Sequence, residues 1–223
     1  MAKIGIGVTT YKRPSILKTC LEMIKAYTGE HKLYVAEDTD EDLRGVAKRK
    51  NECLANLKDC DYIFLFDDDC YPIKIGWDKL LIDTHLKSFN HHFVYNKEPF
   101  CKIKNLVFGN HPILESYEAS GGTMIFLTQE VLKKVGGFYT GYERYGFEHI
   151  GYSVRIHRAG LTNDFFLSLK GLNEYIYSRD YEVDGFFIHN STLDLETKTK
   201  LTEKNKVIFN KEDQSIYLPI VYK

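Results

Sequence analysis

The stretch Asp61-Tyr-Ile-Phe-Leu-Phe-Asp-Asp-Asp69 constrains this 223-residue chain more than any other. Its five apolar and aromatic residues run without polar alternation, the pattern of a central strand covered on both faces. The run stops at three consecutive carboxylates, Asp67, Asp68 and Asp69. Each would cost several kcal/mol if buried unpaired, so they are expected at the open carboxyl edge of a sheet, where α/β proteins bind ligands. Residues two apart in an extended chain point the same way. Asp67 and Asp69 can therefore face one site, and hard oxygen donors of that kind suit Mg²⁺ or Mn²⁺.

The preceding residues read as β-α repeats. Lys3–Val8 is a first strand and Thr9–Pro14 a loop, with Pro14 in the first turn of a helix. Leu17, Cys20, Leu21 and Ile24 then recur at helical spacing, and Gly29 closes that helix. Lys32–Ala36 is a second strand, Glu37–Asp42 an acidic turn, and a helix through Val46, Leu54 and Leu57 leads into the aspartate-tipped strand. This order predicts a parallel sheet of the nucleotide-binding kind. Further on, the pattern predicts a helix over Ile75–Leu86, a strand near Leu106–Phe108, and a strand Thr123–Leu127 after Gly121-Gly122. A helix Gln129–Val135 ends at Gly136-Gly137, and a helix Glu148–Arg158 is closed by Gly160. From Thr197 the tail is polar, with a terminal apolar strand Ile216–Tyr222. One domain over residues 1–195 is expected, with an extension over 196–223 packing on it.

Composition narrows the function classes. A net charge of −1 gives no global pull toward nucleic acid or membrane. No stretch reaches the roughly 18–20 apolar residues of a membrane span, and the N-terminus lacks a secretory apolar core. Five cysteines without a C-x-x-C pair fit reduced thiols in a cytoplasmic setting. Gly5-x-Gly7 lacks the third glycine of a dinucleotide fingerprint, which would fall at Thr10. There is no phosphate loop ending in Gly-Lys-Ser/Thr. Asp38, Asp40 and Asp42 imitate a calcium loop, but Leu43 and Arg49 replace its required glycine and glutamate.

The ordered set Thr10-Tyr-Lys-Arg13-Pro14, the acidic turn, Gly45-Val-Ala-Lys-Arg-Lys-Asn51 and the aspartate triplet resembles the nucleotide-sugar-binding half of GT-A-fold glycosyltransferases, especially the large family-two type. Ser120-Gly121-Gly122, then Val135-Gly-Gly-Phe138, then Tyr145-Gly146-Phe147-Glu148-His149 are similar to the second half of galactosyl- and N-acetylgalactosaminyltransferases. The resemblance spans about residues 3–160. It implies an α/β, Rossmann-like, mostly parallel sheet flanked by helices. It also implies transfer of a sugar from a nucleotide diphosphate donor, UDP above all, to an acceptor hydroxyl, with Mn²⁺ or Mg²⁺. Thr10, Tyr11 and Arg13 would line the base and ribose pocket, and Asp38 would hydrogen-bond the nucleobase. Lys50 would approach the pyrophosphate, and Asp67, with Asp68 beside it, would face sugar or ribose. Asp69 and the late His189 would ligate the metal. Gly121 and Gly122 would let the sugar approach the backbone, and Glu148 or His149 would be the catalytic base.

His149 stands where inverting relatives carry a second acid and retaining ones an asparagine, so both stereochemical outcomes stay open. A nucleotidyltransferase and an inactive nucleotide-sugar-binding module are the competing readings. The acceptor can be a glycan, a protein or a modified DNA base. The last draws on AT-rich residue usage, which fits an AT-rich bacterial or viral genome, and viral 5-hydroxymethylcytosine would then be a plausible acceptor. Lys97, Lys102, Lys104 and Arg144, interleaved with aromatics, would then make a nucleic-acid face.

Overall fold

The computed structural model describes residues 2–96, 102–106, 114–179, 193–212 and 215–223. A central sheet has the order β2 (Lys32–Asp38), β1 (Ile4–Tyr11), β3 (Tyr62–Asp67), β8 (Met124–Thr128) and β5 (His92–Val94). β1 pairs in parallel with β2 and β3, and β8 runs antiparallel to both β3 and β5. The expected α/β, mostly parallel sheet flanked by helices is what forms. Two smaller antiparallel sheets flank it: β6 (Lys102–Leu106), β7 (Leu114–Tyr117) and β9 (Leu167–Leu169), and the pair β4 (Cys70–Pro72) with β10 (Ile176–Ser178).

β3 shows why an unbroken apolar run was needed. Its side chains alternate between two cores. Phe64 and Phe66 join Trp77 and Leu81 of α3 (Trp77–Ser88) and Cys20 and Ile24 of α1 (Pro14–Tyr27). Ile63 and Leu65 join Leu54 of α2 (Val46–Leu57), Val131 of α4 (Gln129–Val135) and Ile156 of α5 (Glu148–Arg158). Each fully buried phenylalanine contributes roughly 1.5–3 kcal/mol. The glycines of β1 serve close packing: a Cβ on Gly7 would lie 2.7 Å from Cys53 Cβ in α2. The chain leaves β1 for β2 through α1 and returns past it to β3 through α2, which places these helices on opposite faces. The carboxyl ends of β1 and β3 consequently lie side by side, with Thr9 in register with Asp67.

Three local readings change. Thr9–Tyr11, expected in a loop, continue β1, because they pair in parallel with Ala36, Glu37 and Asp38 of β2. The tail from residue 195 is a helix, α6 (Leu195–Lys211), N-capped by Asp194. The expected terminal strand over 216–222 is only an isolated bridge between Leu218 and Gly136, and Pro219 cannot donate to a ladder. Cys20, Cys53, Cys60 and Cys70 are free and buried, and among the described residues no helix is long and apolar enough to cross a membrane.

A buried histidine gives the fold a pH dependence. His92 in β5 is fully buried, with Nδ1 3.2 Å from the Phe126 carbonyl and Nε2 2.9 Å from the Ser153 hydroxyl. Burial pushes its pKa down from 6.5 to about 4, the Phe126 carbonyl opposing. A depressed imidazole binds its proton in the unfolded chain first, so stability is full above pH 6.5 and is lost as pH falls toward 4. Urea unfolding at pH 7.5 and 4.5 should show His92→Gln losing about 2–3 kcal/mol less than the native chain. Parallel losses in the two proteins would contradict this.

Candidate active site

The open ends of β1 and β3 form the floor of a pocket lined by Thr9, Thr10, Tyr11, Arg13, Asp67 and Asp69. Further wall comes from Asp38, Arg49 and Gly121, from Arg144 to Gly146, from Glu148 and His149, and from Leu193 and Lys198. The three aspartates have separate environments. Asp68 is fully buried and paired: the Arg13 guanidinium grips both its oxygens, and Thr10 Oγ1 donates to Oδ2 at 2.6 Å. Arg13 Nη1 also reaches Asp69 Oδ2 at 2.7 Å. Asp67 is half-buried, accepts from Thr9 Oγ1 at 2.9 Å, and lies 3.4 Å from Lys50 Nζ. The triplet is thus a partly buried, cation-clamped tip rather than a solvated edge.

Crowded carboxylates raise one another. Burial pushes the Asp67 carboxyl above its ordinary range, Asp69 and Glu148 add to this, and Lys50 and Thr9 oppose it. Burial likewise raises Asp68, with Asp69 and Asp67 adding and Arg13 and Thr10 opposing.

Lys50, expected near a pyrophosphate, does not line the pocket. It is buried beneath it, donating to the Gly122 carbonyl at 2.9 Å and supporting Asp67. Gly122 adopts φ 67°, and a Cβ there would stand 2.6 Å from His149 Cγ. Its bareness therefore admits the imidazole, and Gly121 is the glycine that faces the pocket. His149 Nε2 lies 2.5 Å from the Ser120 carbonyl and, because that oxygen can only accept, carries a proton. His149 Nδ1 lies 3.5 Å from Glu148 Oε1. Glu148 sits at the head of α5, buried. Burial alone would raise its carboxyl, but the contact with His149 and the charge of Lys50 hold it below the usual carboxylate range.

Asp38, at the end of β2, accepts from the Arg44 and Gly45 amides at 2.8 and 3.0 Å and from Arg49 Nε at 2.8 Å. It therefore fixes the turn into α2 as well as lining the pocket. Tyr11 lies under the Arg144 guanidinium, 4.6 Å from its ring centroid, and its hydroxyl donates to Asp40.

Of the residues singled out from sequence, Thr10, Tyr11, Arg13, Asp38, Asp67, Asp69, Gly121, Glu148 and His149 line this one pocket, while Lys50, Asp68 and Gly122 lie beneath it. His189, Lys97 and the side chains of Lys102 and Lys104 lie outside the described residues. Arg144, expected on a nucleic-acid face, is part of the pocket wall. The sequence reading missed Arg49, Leu193 and Lys198. The Arg49 position carries alanine in the motif it resembles, Leu193 lies at the very end of the expected domain, and Lys198 comes from the tail read as an extension.

Among the described residues no three His, Cys, Asp or Glu side chains converge as a metal cage. Mg²⁺ and Mn²⁺ that arrive with a nucleotide commonly take only one or two carboxylates, with phosphates and water completing the shell. The donor set here fits that chemistry. Asp67 and Asp69 face the pocket with hard oxygens, and Asp69 Oδ1 has no partner among the described residues.

No protein-family model matches the chain, and no curated protein sequence does. Solved structures do. The mannosyltransferase PcManGT from Pyrobaculum calidifontis, in complex with GDP-Man and Mn²⁺, superimposes with a TM-score of 0.52 at 14% identity over 73% of this chain. TarS 1–349 from S. aureus superimposes with a TM-score of 0.54 at 15% identity, over 94% of this chain and 72% of that one. The chain spans 55% of the mannosyltransferase's length. The fold is therefore that of GT-A glycosyltransferases.

Removing the clamp should be costly. Arg13→Met leaves Asp68 buried with only a threonine for a partner, and urea unfolding near neutral pH should show a loss of about 3–5 kcal/mol. A loss below about 1 kcal/mol would mean that the tip does not depend on Arg13.

Proposed function

We propose that the chain is a divalent-metal-dependent glycosyltransferase of the family-two type that moves a sugar from a nucleoside diphosphate, UDP in the simplest case, to an acceptor hydroxyl. The observation that carries this is one pocket, on a GT-A fold, in which Asp67 and Asp69 face Glu148. The GDP-Man and Mn²⁺ bound by PcManGT support the same donor chemistry here.

In this reading Tyr11 and Asp38 contact the nucleobase and Thr10 the ribose side of the pocket. Asp67 and Asp69 hold the cation, with His189 joining them. When bound, the cation supplies neutralisation of the charge that grows on the departing diphosphate. Arg13, bonded to Asp68 and Asp69, keeps Asp69 aimed. Lys50 holds Asp67 in place, and the bare backbone of Gly121 admits the sugar. Glu148, ionised at neutral pH, takes the proton from the acceptor hydroxyl. His149 stands beside it, its Nε2–H engaged by Ser120 and its Nδ1 3.5 Å from the carboxylate.

Three measurements test these roles. Incubation with a panel of UDP-, GDP- and CDP-sugars and Mn²⁺ should release nucleoside diphosphate from one donor; binding without release would mark an inactive sugar-nucleotide module. Asp69→Asn should abolish Mn²⁺-dependent UDP binding. Glu148→Gln should keep donor binding and lose on the order of 10²–10⁴ in turnover. Near-normal turnover in Glu148→Gln beside a dead His149→Ala would move the base to the imidazole.

A further inference from the structure

The segment from Glu143 to Phe147 brings Arg144 and Tyr145 to the pocket and delivers Glu148 to the head of α5. Its local sequence does not account for its shape. Gly146 and Phe147 are successive left-handed residues, with φ of 96° and 71°, and the latter conformation costs a phenylalanine roughly 1–2 kcal/mol.

The restraint comes from α6. Asn205 is fully buried, and its Oδ1 accepts from the Glu143 amide at 2.7 Å. Its Nδ2 faces the carbonyls of Tyr145 at 2.8 Å, Gly146 at 2.9 Å and Glu143 at 3.3 Å. One side chain thereby engages four backbone groups of one loop. A turn further along the helix, the Phe209 ring packs on Phe147 with centroids 5.5 Å apart. From the opposite side the loop is held by the Val46 amide, which donates to the Arg144 carbonyl at 3.5 Å, and by Arg144 lying over Tyr11. The loop is therefore held against the pocket from two sides, and α6 supplies the side-chain hydrogen bonds to its backbone.

We propose that Asn205 is a positioning residue for the transfer reaction, setting the backbone of Arg144–Glu148 against the bound donor. The proposal rests on reading the pocket as a sugar-nucleotide site. Asparagine suits the position because one atom must accept while its neighbour donates twice. A carboxylate of the same shape would keep the first contact and face three carbonyls with no proton to offer.

Asn205→Asp tests this, with Lys204→Ala as its control. Lys204 sits one residue away on α6 and, among the described residues, reaches only the exposed Glu143 carboxylate, at 3.4 Å. Turnover of the active nucleotide-sugar and UDP binding with Mn²⁺ are measured on protein that melts cooperatively. The expected result is a kcat lower by on the order of 10²-fold in Asn205→Asp, more than the donor KM rises, with Lys204→Ala unchanged. A merely structural role would lower the melting temperature and leave both constants at native values; that result overturns the proposal. Phe209→Leu loosens the same loop from the helix's other contact and should move kcat in the same direction by less. If Asn205→Asp does not fold, native constants in Phe209→Leu overturn the proposal instead. A native chain that neither binds UDP with Mn²⁺ nor releases it removes the transferase reading and this proposal together. A functional native chain with an indifferent Asn205→Asp removes only the positioning role.

Discussion

The structure depends on one guanidinium. Arg13, at the mouth of α1, reaches across the carboxyl ends of β1 and β3 to hold Asp68 by both oxygens and Asp69 by one. Without it, three adjacent carboxylates would end a strand whose body lies between two apolar cores. A buried charge left alone is among the costliest defects a fold can carry, and a paired one is tolerated when its hydrogen bonds are met. Thr10 meets one of those for Asp68, and Thr9 and Lys50 do the same for Asp67. The pairing also divides the labour of the triplet. Asp68 is consumed in the clamp, while Asp67, at the end of β3, and Asp69, in the turn that follows, face the pocket.

The remainder of the pocket follows from placing polar contacts where packing alone would leave slack. Asp38 closes the turn into α2, Lys50 ties the Gly122 carbonyl to the foot of the pocket, and Asn205 ties the loop before Glu148 to α6. Each of these side chains is at least nine-tenths buried and faces backbone groups. Buried polar groups satisfied in this way impose a single geometry, because any shift strands a donor or an acceptor. A pocket that must hold a diphosphate and a sugar needs such rigidity more than it needs additional apolar burial.

Much of the sheet and half of the site could be read from residue order. An apolar run stopped by three acids declares both a buried strand and its end, Pro14 and the Gly-x-Glu segment mark helix starts, and Gly136-Gly137 mark a helix end. What escaped had physical causes. Thr9 and Thr10 look like loop residues because the residues that make them strand, Ala36 and Glu37 of β2, lie on a separate element across α1. The strands β4, β5, β9 and β10 have three residues each, too few for any periodicity to register. Lys50 reads as a cation that approaches a pyrophosphate, and only the fold shows its ammonium under Gly122. The tail was read as an extension because its decisive buried residue is Asn205, a polar side chain that no hydrophobic pattern flags.

The central claim is that the acidic tip of β3 binds a divalent cation together with a diphosphate. Diffraction at the manganese absorption edge, from crystals grown with UDP and Mn²⁺, tests it most directly. The account predicts an anomalous peak in coordination contact with the carboxylates of Asp67 and Asp69. A diphosphate bound without that peak, or a peak held by residues elsewhere, would contradict it.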